Sequence, residues 1–193
     1  MTGDELATII VERIGELSAS GASPCLVAIS GVDCAGKSTL SRILRDCLAA
    51  RAVAASVIGI DDFLIPERVK ARRTPEHLGY FEDAFDYRAL VDALPAAPHP
   101  VVVVEGVFVL REELRKRWTL TVWLDVDPAL AMERALVRDL AHFGDAATVQ
   151  RIYEARCRPA QAYHQQRDRP STHADIVARF DGGEWSIIRT TAC

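Results

Sequence analysis

Eight consecutive residues, Gly31-Val32-Asp33-Cys34-Ala35-Gly36-Lys37-Ser38, restrict this chain more than any other stretch. They satisfy the phosphate-binding loop pattern G-x-x-x-x-G-K-[ST] at every fixed position. An apolar run, Leu26 to Ser30, precedes them, and Leu40, Ile43, Leu44, Cys47 and Leu48 follow at helical spacing. Strand, glycine loop, helix is the setting in which backbone N–H groups turn toward an anion and the helix N-terminus adds its partial positive charge. Gly31, Asp33, Cys34, Ala35, Gly36 and Thr39 are the expected phosphate cradle, Lys37 is expected to reach the outer phosphates, and Ser38 to ligate Mg2+. A nucleoside triphosphate is the implied ligand.

The remaining pattern predicts one α/β domain over residues 1–193, with helices on both faces of a mostly parallel sheet of about five strands, a P-loop NTPase architecture. Apolar residues make up 49% of it, enough for a full core. A balance of 23 basic against 27 acidic residues argues against a nucleic-acid partner. No apolar run reaches membrane-spanning length and the amino terminus lacks signal-peptide character, so a cytoplasmic protein is expected. The five cysteines have no metal-ligand spacing and read as reduced thiols. Cys34, inside the loop, is filler or a redox-sensitive thiol. A homo-oligomer remains open.

Along the chain, Thr2 to Glu5 forms a capping box for a helix carrying Leu6, Ile9, Ile10, Ile14 and Leu17. A second strand is expected over Val53 to Ile60. It ends on Asp61-Asp62-Phe63, placing two carboxylates at the edge where open α/β sheets bind ligands. Residues 66–73 are charged and aperiodic, a solvated loop or a flap over substrate. Tyr80 to Tyr87 leads into a helix bearing Leu90, Val91 and Leu94, and a proline-rich break spans Pro95 to Pro100. Val101 to Val104 reads as a strand buried on both faces, ending on Glu105, a candidate to hold magnesium or its water shell. Leu110 to Trp118 is predicted helical, Leu120 to Val126 a strand, and Asp127-Pro128 a helix start. Arg134 and Arg138 follow, then a small lid over about 139–150, and a further helix with Arg151, Arg156 and Arg158. Asp175 to Phe180 is the last expected strand, and a short Trp185 to Ile188 segment closes the sheet. The five histidines form no cluster and are assigned to the surface, with His142 in the lid as the exception.

In order, Ile29 to Thr39, Asp61-x-Phe63, Asp83-Ala84-Phe85-Asp86, Glu105-Gly106, Arg138-Asp139, Arg158-Pro159 and Ala174-Asp175-Ile176 resemble the uridine kinase and phosphoribulokinase family of P-loop kinases. The resemblance implies that Asp61 acts as base or orienter for the acceptor hydroxyl, sharing the metal environment with Ser38 and Glu105, and that Arg138 neutralises the transferring phosphoryl group. It puts Asp62, Phe63, Tyr80, Asp83, Phe85 and Arg158 on the acceptor side of the site, in a segment over about 64–95 and beyond. Asp62 is the alternative base. Two departures stand out. Tyr80 occupies the position at which uridine kinases carry a ribose-binding aspartate, leaving Glu82 or Asp83 to replace it. The lid reads Ala141-His142-Phe143-Gly144 in place of the family's paired arginines.

The implied activity is ATP-dependent transfer of the γ-phosphate to a hydroxyl of a small metabolite, with a nucleoside such as uridine or cytidine as leading acceptor. Nicotinamide riboside, pantothenate, a sugar or a specialised-metabolite alcohol are the alternatives. A nucleotide-dependent ATPase or switch without an acceptor is the reading from another class, weakened because no N-K-x-D tetrapeptide and no transporter signature occur.

Overall fold

The amino-terminal capping box forms as the sequence predicts. Thr2 Oγ1 accepts from the Glu5 amide at 3.2 Å, and the Thr2 amide donates to Glu5 Oε2 at 2.7 Å, opening α1 over Gly3–Ala19. The computed structural model describes residues 1–21, 24–70, 74–94 and 100–191. The end of the charged segment at 71–73, most of the proline-rich break (95–99) and Cys193 therefore lie outside the described residues.

Five strands run parallel: β1 (Cys25–Gly31), β2 (Ala55–Gly59), β3 (Val101–Glu105), β4 (Leu120–Val126) and β5 (Ile176–Asp181). β6 (Glu184–Thr190) returns antiparallel to β5, so the sheet has six strands in the order β2-β3-β1-β4-β5-β6, one more than expected. In β3, Val101 and Val103 face one core while Val102 and Val104 face the other, which is why that run is uninterrupted. On the first face, Leu6, Ile10 and Ile14 of α1 and Leu40, Leu44 and Leu48 of α2 (Lys37–Ala50) pack on the sheet. On the second, the sheet is covered by α4 (Glu76–Glu82) through Phe81, by α5 (Tyr87–Ala93) through Leu90, and by α9 (Arg158–Asp168) through Ala160. Between them in sequence lie α3 (Pro66–Lys70), α6 (Pro128–Arg138), α7 (Leu140–Phe143), α8 (Ala146–Ile152) and, last, α10 (Pro170–His173). A π-helical turn, Tyr153–Cys157, joins α8 to α9.

Three expectations are corrected. Leu110 to Trp118 is not a helix; it is a series of tight turns with one 3-10 segment at Arg115–Arg117. Leu110, Leu114 and Trp118 are buried at helical spacing, but Phe108 just before them takes a left-handed φ of +62°, and Trp118 Nε1 donates to the Val109 carbonyl at 2.9 Å. β2 stops at Gly59, so Asp61, Asp62 and Phe63 sit in a 3-10 turn, Ile60–Phe63, beyond the strand end. His164 is not a surface histidine. It is 2% exposed, packed against Phe81, Phe108 and Trp123, with Nδ1 2.6 Å from Asp168 Oδ2. The Asp168 partner one helical turn away compensates the burial, a pairing that an inspection for histidine clusters does not detect.

Gly106 connects fold to site. Its φ is +149°, and a Cβ there would lie 2.0 Å from Ile60 Cγ2. Ile60 is buried and opens the turn that carries Asp61. Gly106→Ala is therefore expected to cost about 3 kcal/mol or more, from overpacking added to backbone strain. Chemical denaturation of the variant checks this, and a Gly106→Ala, Ile60→Ala double variant recovers part of the loss if the contact is the cause.

Candidate active site

The parallel register sets the floor of the site. Gly59 of β2, Glu105 of β3 and Ile29 of β1 stand level in adjacent strands, so their carboxyl-end loops emerge side by side. The phosphate loop follows β1. Gly36 has φ +94°, a left-handed conformation that a side chain strains, and it leads directly into α2. Lys37 is 8% exposed and its Nζ donates to the Val32 carbonyl at 2.8 Å. Burial lowers the Lys37 pKa, while Asp33, Glu105 and Asp61 around it pull the other way.

Ser38 Oγ donates to Glu105 Oε1 at 2.8 Å. Burial raises the Glu105 pKa, partly offset by this bond and by Lys37. One hydroxyl and one carboxylate at the lip of a phosphate loop fit Mg2+, which keeps several waters and takes further oxygens from nucleotide phosphates. The described residues contain no cluster of three or more histidine, cysteine or acidic side chains suited to enclosing a metal.

Two cavities meet at Lys37, Ser38 and Arg138. The first, about 430 Å³, runs over the loop and α2 between Gly3, Thr39, Ile43, Arg134, Phe180 and Trp185. Arg134 stacks on Phe180 at 4.6 Å and Trp185 meets that ring edge-on at 5.1 Å. Its size and aromatic wall suit the base and sugar of a nucleotide whose phosphates reach the loop. The sequence reading gave Arg134 no role; its position one turn before Arg138 on α6 was the available signal.

The second cavity, also about 430 Å³, is bounded by Asp33, Asp61, Glu105, Tyr80, Val107, Arg138, His142, Phe143 and Arg156. Asp61 lies on its wall and Asp62 does not. Their separation follows from the 3-10 turn, in which successive residues diverge by about 120°, rather than from strand alternation. Part of Asp61 faces solvent, yet burial against the cavity wall raises its pKa. Nearby Asp33 adds to that rise, and Lys37 and Arg138 oppose it. Arg138 is held by both Asp139 oxygens, at 2.6 and 2.9 Å, and by the Tyr153 hydroxyl at 2.9 Å. Burial pushes the Tyr80 hydroxyl well above its ordinary pKa.

Other acceptor-side expectations fall elsewhere. Phe85 is 2% exposed, in the second core against Tyr80, Tyr87 and Phe108, and does not line the cavity. Phe63, Glu82 and Asp83 are also outside its wall. Arg158 borders a separate cavity of about 410 Å³ beside Asp33, Pro159 and Gln161. Gln161 donates to Asp33 Oδ2 at 2.7 Å, so Asp33 is turned partly toward that side. Burial raises the Cys34 pKa despite Arg138, which favours the filler reading of that thiol.

The fold is that of the P-loop kinases, and the carboxylates of Asp61 and Glu105 stand near Lys37 of the phosphate loop. No protein-family model matches the chain. It is 23% identical over 194 residues to a uridine kinase from Geobacillus kaustophilus (strain HTA426), covering 85% of this chain and 89% of that protein. A possible uridine kinase from Bacillus stearothermophilus has a similar structure, with TM-score 0.62, 19% identity and 89% and 99% of the two chains covered. So does a D-glycerate 3-kinase from Cryptococcus neoformans var. grubii, with TM-score 0.64, 13% identity and coverage of 96% and 99%. The resemblance to the uridine kinase and phosphoribulokinase-like kinases drawn from the motif series holds in three dimensions. Among the described residues no helix is long and apolar enough to cross a membrane.

Proposed function

We propose that the protein is an ATP-dependent phosphotransferase that moves the γ-phosphoryl group onto a hydroxyl of a small metabolite. The observation that carries this reading is the junction of the two cavities. Lys37, Ser38 and Arg138 border both, and Asp61 borders only the second. A nucleotide in the first cavity would present its terminal phosphate to an acceptor in the second. The acceptor hydroxyl gives its proton to Asp61, its oxygen bonds to the γ-phosphorus, and the bond to the β–γ bridging oxygen breaks, releasing ADP. Lys37 and Arg138 offset the charge on the transferring group. Bound magnesium would neutralise the phosphates, with Ser38 and Glu105 as its protein partners.

The likeness to uridine kinases makes a nucleoside the first acceptor to test, and the D-glycerate kinase of the same fold shows why the fold alone does not select one. Tyr80 where a ribose-binding aspartate is expected speaks against a uridine-like contact. The deciding experiment is ADP release with and without a panel of alcohols. Acceptor-dependent ADP release is expected; strong hydrolysis indifferent to every alcohol would point to an ATPase or switch.

The base assignment has a pH signature. Asp61 must be ionised to take a proton, and its pKa is raised. The acid limb of kcat/KM is therefore expected above the ordinary carboxylate value of about 4, with activity lost as pH falls through it. A pH–rate profile limited by a group at about 4 or lower would count against Asp61.

A further inference from the structure

Among the described residues three arginines touch the two cavities, and two of them are accounted for. Arg138 is clamped by Asp139, and Arg134 donates to the Cys34 carbonyl and lies over Phe180. Arg156 differs. It comes from the π-helical turn between α8 and α9, borders only the acceptor-side cavity, and sits with its guanidinium carbon 5.1 Å from the centre of the Tyr80 ring. Its Nε is buried and has no hydrogen-bond partner, and among the described residues no carboxylate pairs with it. The Cys157 thiol beside it is only a weak acceptor.

Arg156 is half-buried, but its Nε is out of contact with water and has no acceptor, and a buried charged donor without a partner is costlier than a neutral one. The cavity's carboxylates do not supply one. Asp139 is committed to Arg138 and Tyr153, and Glu105 accepts from Ser38. Asp33 accepts from Gln161, and Asp61 is influenced by Lys37 and Arg138. The guanidinium carbon lies over the Tyr80 ring, and the planar fork of guanidinium N–H donors is matched to two oxygens of one group.

We propose that the acceptor is an anionic alcohol whose carboxylate or phosphate group is bound by Arg156 beside Tyr80, its hydroxyl directed to Asp61. This deepens and rests on the phosphotransferase reading above. Leu64, Val69 and Val107 on the same wall would meet the carbon chain between the two ends. The Tyr80 substitution then has a purpose: an aspartate there would pair with Arg156 and repel the anion.

The test has two parts, both on the full chain. In the first, ADP release is followed with neutral nucleosides, neutral polyols, hydroxy acids such as D-glycerate, and pentose phosphates. Turnover by a hydroxy acid or by a sugar phosphate is expected and distinguishes the two anion sources. Efficient turnover of a neutral nucleoside or polyol, unaffected by Arg156→Met, overturns the proposal. For the accepted anion, Arg156→Met should raise the acceptor KM roughly ten- to hundredfold with the ATP KM unchanged, and Arg156→Lys should recover part of it. A rise in the ATP KM instead would give Arg156 to the nucleotide and overturn the proposal.

The second part separates this inference from the kinase reading, because it needs no chemistry. With a non-hydrolysable ATP analogue saturating the nucleotide site, the same anions should raise the melting temperature of the wild type and of Arg156→Lys, but not of Arg156→Met. Binding with that dependence but no turnover would retain the anion site and remove the kinase reading. No stabilisation of the wild type by any anion would overturn the anion site whatever the assay shows. Should Arg156→Met fail to fold, Arg156→Lys and the wild-type panel still decide.

Discussion

Asp61→Asn is expected to lower kcat by about 10²–10⁴ while leaving the KM for ATP nearly unchanged. Asparagine has the same shape and can still accept a hydrogen bond from the acceptor hydroxyl, but it cannot take the proton. Asp61 lies on the wall of the acceptor cavity and not in the nucleotide cavity, so ground-state nucleotide binding has little reason to change. The raised pKa brings the carboxylate closer to neutrality as a base, and Lys37 and Arg138 limit that rise. Asp62→Asn is the control. Asp62 sits outside the cavity wall, and steady-state kinetics of that variant should stay near those of the wild type. The opposite pattern, with Asp62→Asn inactive and Asp61→Asn normal, would move the base to Asp62.

Lys37→Ala is expected to reduce kcat/KM for ATP by about 10³-fold or more, with direct binding of ATP weakened as well. Lys37 lies on both cavity walls, and it stands between Asp33, Asp61 and Glu105. Losing it removes a cation from the outer phosphates and leaves those carboxylates facing an incoming polyanion without it. A secondary effect carries a definite sign. Lys37 opposes the upward shift of Asp61 and of Glu105, so its loss should raise both. Residual activity of the variant should then show its acid limb at higher pH than the wild type. Calorimetric titration with ATP and a pH–rate profile read the two effects separately. Unimpaired ATP binding would contradict the phosphate-loop role.

Much of the architecture was legible because its signals are local. The Thr2 to Glu5 capping box, the uninterrupted valines of β3 and the Asp127-Pro128 helix start each depend on neighbouring residues, and each forms in the structure. The failures involve long-range burial. Leu110, Leu114 and Trp118 offer helical spacing and all three are buried in the second core, yet the segment runs as turns, tied back by the bond from Trp118 to the Val109 carbonyl. His164 lacks any sequence cluster and is buried because α9 packs its face against Phe81, Phe108 and Trp123.

The site divides in the same way. By itself the sequence determined the phosphate-loop end. A loop that binds phosphate through its own backbone, with a lysine and a serine at fixed offsets, is specified within eight residues. It also placed Asp61 and Glu105 at the carboxyl edge of the sheet, since parallel strands bring their carboxyl ends to one edge, although Asp61 stands in a turn beyond its strand. Only the tertiary structure decided which residues surround the acceptor cavity. Phe85 went to the core, Arg158 to a different cavity, and Arg156 came onto the wall beside Tyr80. Those assignments depend on how a π-helical turn and α4, more than seventy residues apart in sequence, pack against each other, and no local pattern in either segment encodes that contact.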